Sequence, residues 1–173
     1  RILDAMDLYF TEHLLRGASL TPYGQKITAL ESSSDGRFRI YFFTHPASWV
    51  RLHGLNCDHL AMGLAAMKYA RLRPDEERLQ PFALDQANWV AGLNPLGGSM
   101  IDFVGWTHLP PIDNSLGTGR FPGGIPNGIV GDSMDRPTWG LTWDSREYWL
   151  PHNAYLIALA PYLADGRFRT ERP

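Results

Sequence analysis

One cysteine, Cys57, in 173 residues leaves nothing for an internal disulfide to form with, and it argues neither for nor against secretion. Long apolar runs are also missing. The best, Ala154–Ala164, is too short to span a bilayer and contains Pro161, so no membrane partner is expected. Charge of one sign is scarce: 16 Lys and Arg against 18 Asp and Glu give a net −2, where a nucleic-acid partner would demand a basic face. The glycines around Leu96–Gly98 are not followed by Gly-Lys-[Ser/Thr], so they form no phosphate loop. Gly-x-Ser-x-Gly is absent, and Gly131-Asp132-Ser133 lacks the flanking strand and Asp-x-x-His pair that a serine esterase requires. No charged-then-apolar leader opens the chain. Arg1-Ile2-Leu3-Asp4 reads as already inside a helix, with no methionine before it, so the chain is expected to be a piece of something longer.

What remains is an ordinary globular composition, 44% hydrophobic and 20% charged, at a length that suits one domain with a real core. Ile2, Leu3, Met6, Tyr9, Phe10, His13 and Leu14 recur at helical spacing, predicting an amphipathic helix that ends near Gly17. Thr21-Pro22-Tyr23-Gly24 is a turn and Glu31–Gly36 a polar loop. Phe38, Ile40 and Phe42 alternate with Arg37, Arg39 and Tyr41 as in a short strand. A second helix is expected from Leu55 to Leu72, with Asn56 as a candidate cap and Arg73-Pro74 as its stop. A third should run from about Pro81 to Gly92. The fourth, Asn153–Ala164, is apolar nearly all round and is therefore expected to be buried. The class is mainly α, without repeat or linker.

Between the third and fourth helices, from Ser99 to Arg146, run roughly fifty residues rich in Gly, Pro, Asp and Trp, and loops of that length usually carry binding or catalysis. The chain has six Trp, seven Tyr and eight Phe. Aromatics on loops suit a sugar-binding cleft, because pyranose faces stack on flat rings, although Trp is equally a good core filler. Glu147 sits among Trp143, Tyr148 and Trp149, just before an apolar helix. A carboxyl kept among rings has its ionised form destabilised, as a general acid near neutral pH requires. A structural glutamate paired with Arg146 or Arg136 would suit the position as well. Asp132, Asp135 and Asp144 offer hard oxygen ligands, so calcium is conceivable, yet no EF-hand-like spacing supports it and no cofactor is expected. His53, Cys57 and His59 do not share one helical face, which weighs against a metal centre there.

Three blocks of this chain resemble, in order, the glycoside hydrolases of family 9. Phe82-Ala83-Leu84-Asp85-Gln86-Ala87-Asn88-Trp89-Val90-Ala91-Gly92-Leu93-Asn94-Pro95-Leu96-Gly97-Gly98-Ser99 is similar to that family's Phe-Ala-x-x-Gln-x-x-Tyr-x-Leu-Gly-x-Asn-Pro-x-x-x-Ser. Ile101–Gly105 with Pro110-Pro111 resembles its Gly-Phe-Gly and Pro-Pro continuation, and Gly128–Asp132 its Gly-x-Leu-Val-Gly-Gly segment. Glu147 stands six residues before Asn153-Ala154, the spacing at which the family's catalytic acid precedes its last barrel helix. Thr21-Pro22-Tyr23-Gly24 and the small-residue helix Asn56–Ala70 are similar to blocks that come earlier in the family.

The resemblance implies the C-terminal part of an (α/α)6 barrel with long active-site loops, acting as an inverting β-glycosidase. It implies Glu147 as general acid, with Trp106, His108, Asp113, Trp139, Trp143 and Tyr148 as candidates for gripping an oligo- or polysaccharide. Extracellular or periplasmic residence follows from the same likeness. Three departures stand out. Pro110-Pro111 is followed by Ile112-Asp113-Asn114-Ser115, not by the family's His-His-Arg; Arg146 replaces the usual Asn before the acid; and no Asp-x-Gly-Asp block, source of the water-activating base, occurs in the chain. The fragment alone is therefore expected to be inactive, and the open flank of its barrel to be covered by its own N-terminal part or by another copy. A non-catalytic carbohydrate-binding relative on the same barrel is the alternative.

Overall fold

The computed structural model describes residues 1–26, 54–106, 120–131, 136–140 and 143–165. The strand expected around Phe38–Phe42, the loop 31–36, and the tail beyond Asp165 lie outside them. The protein is mainly α. Its centre is three packed helices, α3 (Leu55–Ala70), α4 (Leu79–Ala91) and α6 (Leu150–Ala164), with α3 in contact with both of the others.

They meet at Gly63. A Cβ there would come 3.1 Å from Leu159 Cδ2 and 3.3 Å from the Ala83 carbonyl oxygen, so a larger residue would wedge the helices apart. Around this point Leu60, Leu64 and Met67 of α3, Phe82, Trp89 and Val90 of α4, and Leu159 of α6 are all buried. Each such side chain contributes about 1.5–3 kcal/mol relative to exposure, which makes this cluster the main stabilising element of the frame. Leu60, Leu64 and Met67 form the buried stripe that their spacing predicts.

The first helix is less regular than its periodicity implies. α1 (Ile2–Leu8) passes into a π-helical segment, Tyr9–Leu15, and then into a short α2 (Arg16–Ala18). The wider π turn brings Phe10, Leu14 and Leu15 together on the buried side. Phe10 stacks on Tyr69 at 4.5 Å between ring centroids. Asp7 ties α1 to the end of α3 by accepting from the Tyr69 hydroxyl and from Arg73 Nε (2.9 Å) and Nη2 (2.7 Å). Those donors hold the Asp7 carboxyl below the usual carboxylate range.

The Thr21–Gly24 turn then threads the chain between α3 and α4. Gln86 grips it: its Oε1 accepts from Lys26 N (2.9 Å), and its Nε2 donates to the Gly24 carbonyl (3.0 Å). Gly24 is required twice over, by its φ of 63° and because a Cβ would fall 2.2 Å from Asp85 Oδ2. Lys26 pairs with Asp58, and its carbonyl oxygen accepts from His59 Nε2 at 3.2 Å. His59 is wholly buried, which drives its pKa down to about 4.

Two sequence expectations are corrected. Asn56 does not cap α3: Gly54 occupies the cap, and the buried Asn56 amide donates to the Pro126 carbonyl (2.9 Å). α6 begins at Leu150, with Pro151 accommodated in its first turn, and it is not buried all round. Only His152 and Leu159 are buried, while Leu150 and Ile157 are 82% and 70% exposed. The reason is geometric: α3 and α4 cover one side of α6, and apolar composition cannot supply a partner for the other.

Candidate active site around Glu147

The long segment between α4 and α6 has structure of its own. Val130–Gly131 (β1) pairs antiparallel with Pro137–Thr138 (β2), and a short α5 (Trp143–Arg146) precedes Glu147. Glu147 and Tyr148 form an extended link into α6. Asn127 N donates to the Glu147 carbonyl oxygen (2.9 Å), Pro126 bridges Tyr148, and Gly128 N donates to the Ser145 carbonyl (2.8 Å). The main chain on both sides of the carboxylate is therefore fixed to the 126–128 strip. Glu147 itself is half-buried.

Successive side chains of an extended link point to opposite faces. Tyr148 turns toward the loop that follows α4, where its hydroxyl donates to Asp102 Oδ2 at 2.9 Å. Asp102, its side chain only 3% exposed, also faces Arg120 Nε at 3.5 Å. Burial, followed by the bond to Asp102, pushes the Tyr148 phenol up to about 12. Its ring lies on Gly124, where a Cβ would come 2.8 Å from Tyr148 Cδ1, and meets Phe121 edge-on at 5.3 Å. Asp102 is held through its main chain too: its N–H donates to the Gly124 carbonyl (2.9 Å), and its carbonyl accepts from Gly123 N (2.8 Å). Asn153, in the first turn of α6, closes the ring of contacts by donating to the Gly123 carbonyl and accepting from Ile125 N (3.2 Å).

On the α6 side stands His152, wholly buried. Its Nδ1 lies 2.9 Å from the Trp149 carbonyl oxygen and so carries the proton, leaving a buried Nε2 with no hydrogen-bond partner among the described residues. Burial holds its pKa below the usual imidazole range, and the nearby Glu147 charge opposes that shift. Arg146, also buried, donates through Nε to the Gly140 carbonyl (2.8 Å) and so anchors α5.

Three of the other expected site residues lie within the described residues. Trp106 is fully exposed on the loop after α4, Trp139 is half-buried against the core, and Trp143 is the first residue of α5. His108 and Asp113 lie outside the described residues, as do Asp132, Asp135, Ser133 and His53. Among the described residues no three His, Cys, Asp or Glu side chains cluster as a metal site requires, and no helix is long and apolar enough to cross a membrane. Sequence reasoning missed Asp102, Arg120, Phe121 and Asn127. Asp102 did leave a signal: a lone carboxylate in the apolar run Met100–Val104 must be either exposed or paired.

No protein-family model and no curated protein matches the sequence. Among solved structures, the fold is similar to that of the cellulase Cel9M of C. cellulolyticium in complex with cellobiose. The TM-score is 0.52 and the identity 19%, over 70% of this chain. The fold is thus cellulase-like and consistent with a partial helical barrel. The match takes in 31% of the cellulase, so this chain spans about a third of that protein's length.

Proposed function

We propose that this chain carries the acid half of an inverting glycoside hydrolase site acting on β-glycosidic bonds of oligo- or polysaccharides. Glu147 is the general acid that protonates the glycosidic oxygen. A carboxylate from outside these residues deprotonates the water on the opposite face of the sugar, since inversion needs two separate carboxyl groups. The observation that carries this reading is the seat of Glu147: a half-buried carboxylate whose main chain is fixed at Asn127, in a cellulase-like fold. The fixed seat supplies the positioning that proton transfer needs. No metal or organic cofactor is called on.

The exposed apolar side of α6, with Leu150 and Ile157, is where the rest of the barrel would pack. The occupant is the protein's own N-terminal part, with a second copy of this chain as the substitute. Extracellular or periplasmic residence goes with a polymeric sugar substrate.

The test is an assay of the 173-residue chain on soluble β-glucan, beside Glu147→Gln. The expected result is no turnover by either. Turnover that Glu147→Gln abolishes would place the base inside this chain and overturn the two-part site. Glycan binding without hydrolysis in a protein that includes the missing part would select the non-catalytic relative.

A further inference from the structure

We infer that Asn127-Gly128 is a modification site: a succinimide-forming pair that native contacts hold unreactive and that deamidates when the strip bonded to Glu147 opens. The inference goes beyond the acid reading and does not depend on it. Asn127-Gly128 is the one Asn-Gly pair in the sequence. In such a pair the glycine nitrogen, with no Cβ beside it, can swing onto the side-chain amide carbon of the asparagine. Gly128 N gives its proton to a solvent base and bonds to Asn127 Cγ. The Cγ–Nδ2 bond breaks, and the departing nitrogen takes a proton from water and leaves as ammonia. Water then opens the succinimide at either carbonyl, giving aspartate or isoaspartate.

The fold denies this reaction each of its requirements. The Gly128 N–H donates to the Ser145 carbonyl (2.8 Å), so the nucleophile keeps its proton. Asn127 is pinned on both sides of its Cα: its N–H donates to the Glu147 carbonyl (2.9 Å), and its carbonyl accepts from Asn56 N (3.0 Å). Asn56 Nδ2 holds the preceding Pro126 carbonyl at 2.9 Å. With these bonds made, the main chain cannot rotate to bring Gly128 N onto Cγ. Asn127 is also only 1% exposed, which keeps base and water away. Nor can a bulkier, slower-reacting residue replace the glycine. Gly128 has φ 117°, and a Cβ there would fall 2.8 Å from Asn56 Oδ1. The contacts that seat Glu147 are thus the contacts that silence the pair. Isoaspartate lengthens the main chain at 127 by one carbon, so the bonds to Glu147 and Ser145 lose their register. Aspartate places a carboxylate where a buried amide stood.

The 173-residue chain, aged in mildly alkaline buffer, would be followed by peptide mapping and isoaspartate-specific methylation. Folded chain should deamidate at Asn127 about a hundredfold or more slowly than the same chain in strong urea, because the reaction waits for local opening. Asn56→Ala removes the hold on Pro126 and should quicken the reaction about tenfold while α3 keeps its amide-exchange protection. If α3 loses protection in that variant, urea below the unfolding midpoint takes its place. The deamidation rate should then rise in step with exchange of the Asn127 and Gly128 amides. Chain already deamidated at Asn127 should exchange faster than the parent at 127–128. Deamidation of folded chain as fast as in strong urea overturns the inference, as does an Asn127 that stays intact in strong urea. A rate that stays constant while those amides are freed overturns it equally, and unchanged protection in the deamidated chain breaks its link to the seat of Glu147.

Discussion

The three-helix frame and the loop that seats Glu147 are held by opposite means. At Gly63 the frame joins α3, α4 and α6 through apolar burial, with Leu60, Trp89 and Leu159 fully covered. Around Asp102 the loop is fixed by directional contacts: one buried carboxylate, a phenol, a guanidinium and a set of main-chain bonds. Apolar burial is non-directional and makes the frame stable. Hydrogen bonds contribute less net stability but fix geometry, which the acid proposed at Glu147 would need. The difference predicts that damage to the frame unfolds everything, while damage to the loop displaces the site and leaves the helices intact.

The strongest way to break the frame is Leu60→Ala, which removes a wholly buried side chain at the centre. It should cost about 4 kcal/mol, read as a lower urea midpoint with loop and helix probes melting together. Acid is the next strongest. His59 is held neutral down to about pH 4, whereas in the unfolded chain it takes up a proton near 6.5. Its contribution is complete above 6.5 and is lost as pH falls from there toward 4, a loss on the order of 3 kcal/mol. His59→Gln should flatten that part of a stability–pH curve.

Asp102→Asn sharpens the contrast. It removes the charge facing Arg120 and weakens the hold on Tyr148, at a cost of about 2 kcal/mol after allowing for the partial exposure of Arg120. Amide exchange should quicken in 101–104 and 123–128 while α3 keeps its protection. If α3 loses protection equally, frame and loop are one cooperative unit and the distinction fails. The smallest effect expected is at the surface. Arg73→Ala cuts the fork to Asp7, but both partners are about a third exposed and solvent screens them, so only a small lowering of the urea midpoint is expected.

The same contrast explains what the sequence revealed. Frame elements repeat locally, so the Leu60, Leu64, Met67 stripe and the Pro74 stop announced α3 without knowledge of its neighbours. Periodicity says nothing about how much of a helix is covered. The all-apolar α6 was accordingly expected to be buried and instead leaves Leu150 and Ile157 exposed. The π-helical segment was invisible because its hydrogen bonds shift by one residue without changing which residues are apolar. In the loop, the spacing to Asn153 singled out Glu147 as the proposed acid. The contacts around it were not legible, since Tyr148 and Asp102 are 46 residues apart and nothing local couples them. His108 and Asp113 lie outside the described residues.

Product stereochemistry tests the assignment of Glu147 most directly. A protein that includes these 173 residues together with the remainder of the barrel would be followed by proton NMR as it cleaves cellohexaose. The α-anomer should appear first, and Glu147→Gln should slow its appearance by a factor of roughly 10²–10⁴. A β-anomer as first product, or cleavage unaffected by Glu147→Gln, would contradict Glu147 as the general acid of an inverting site.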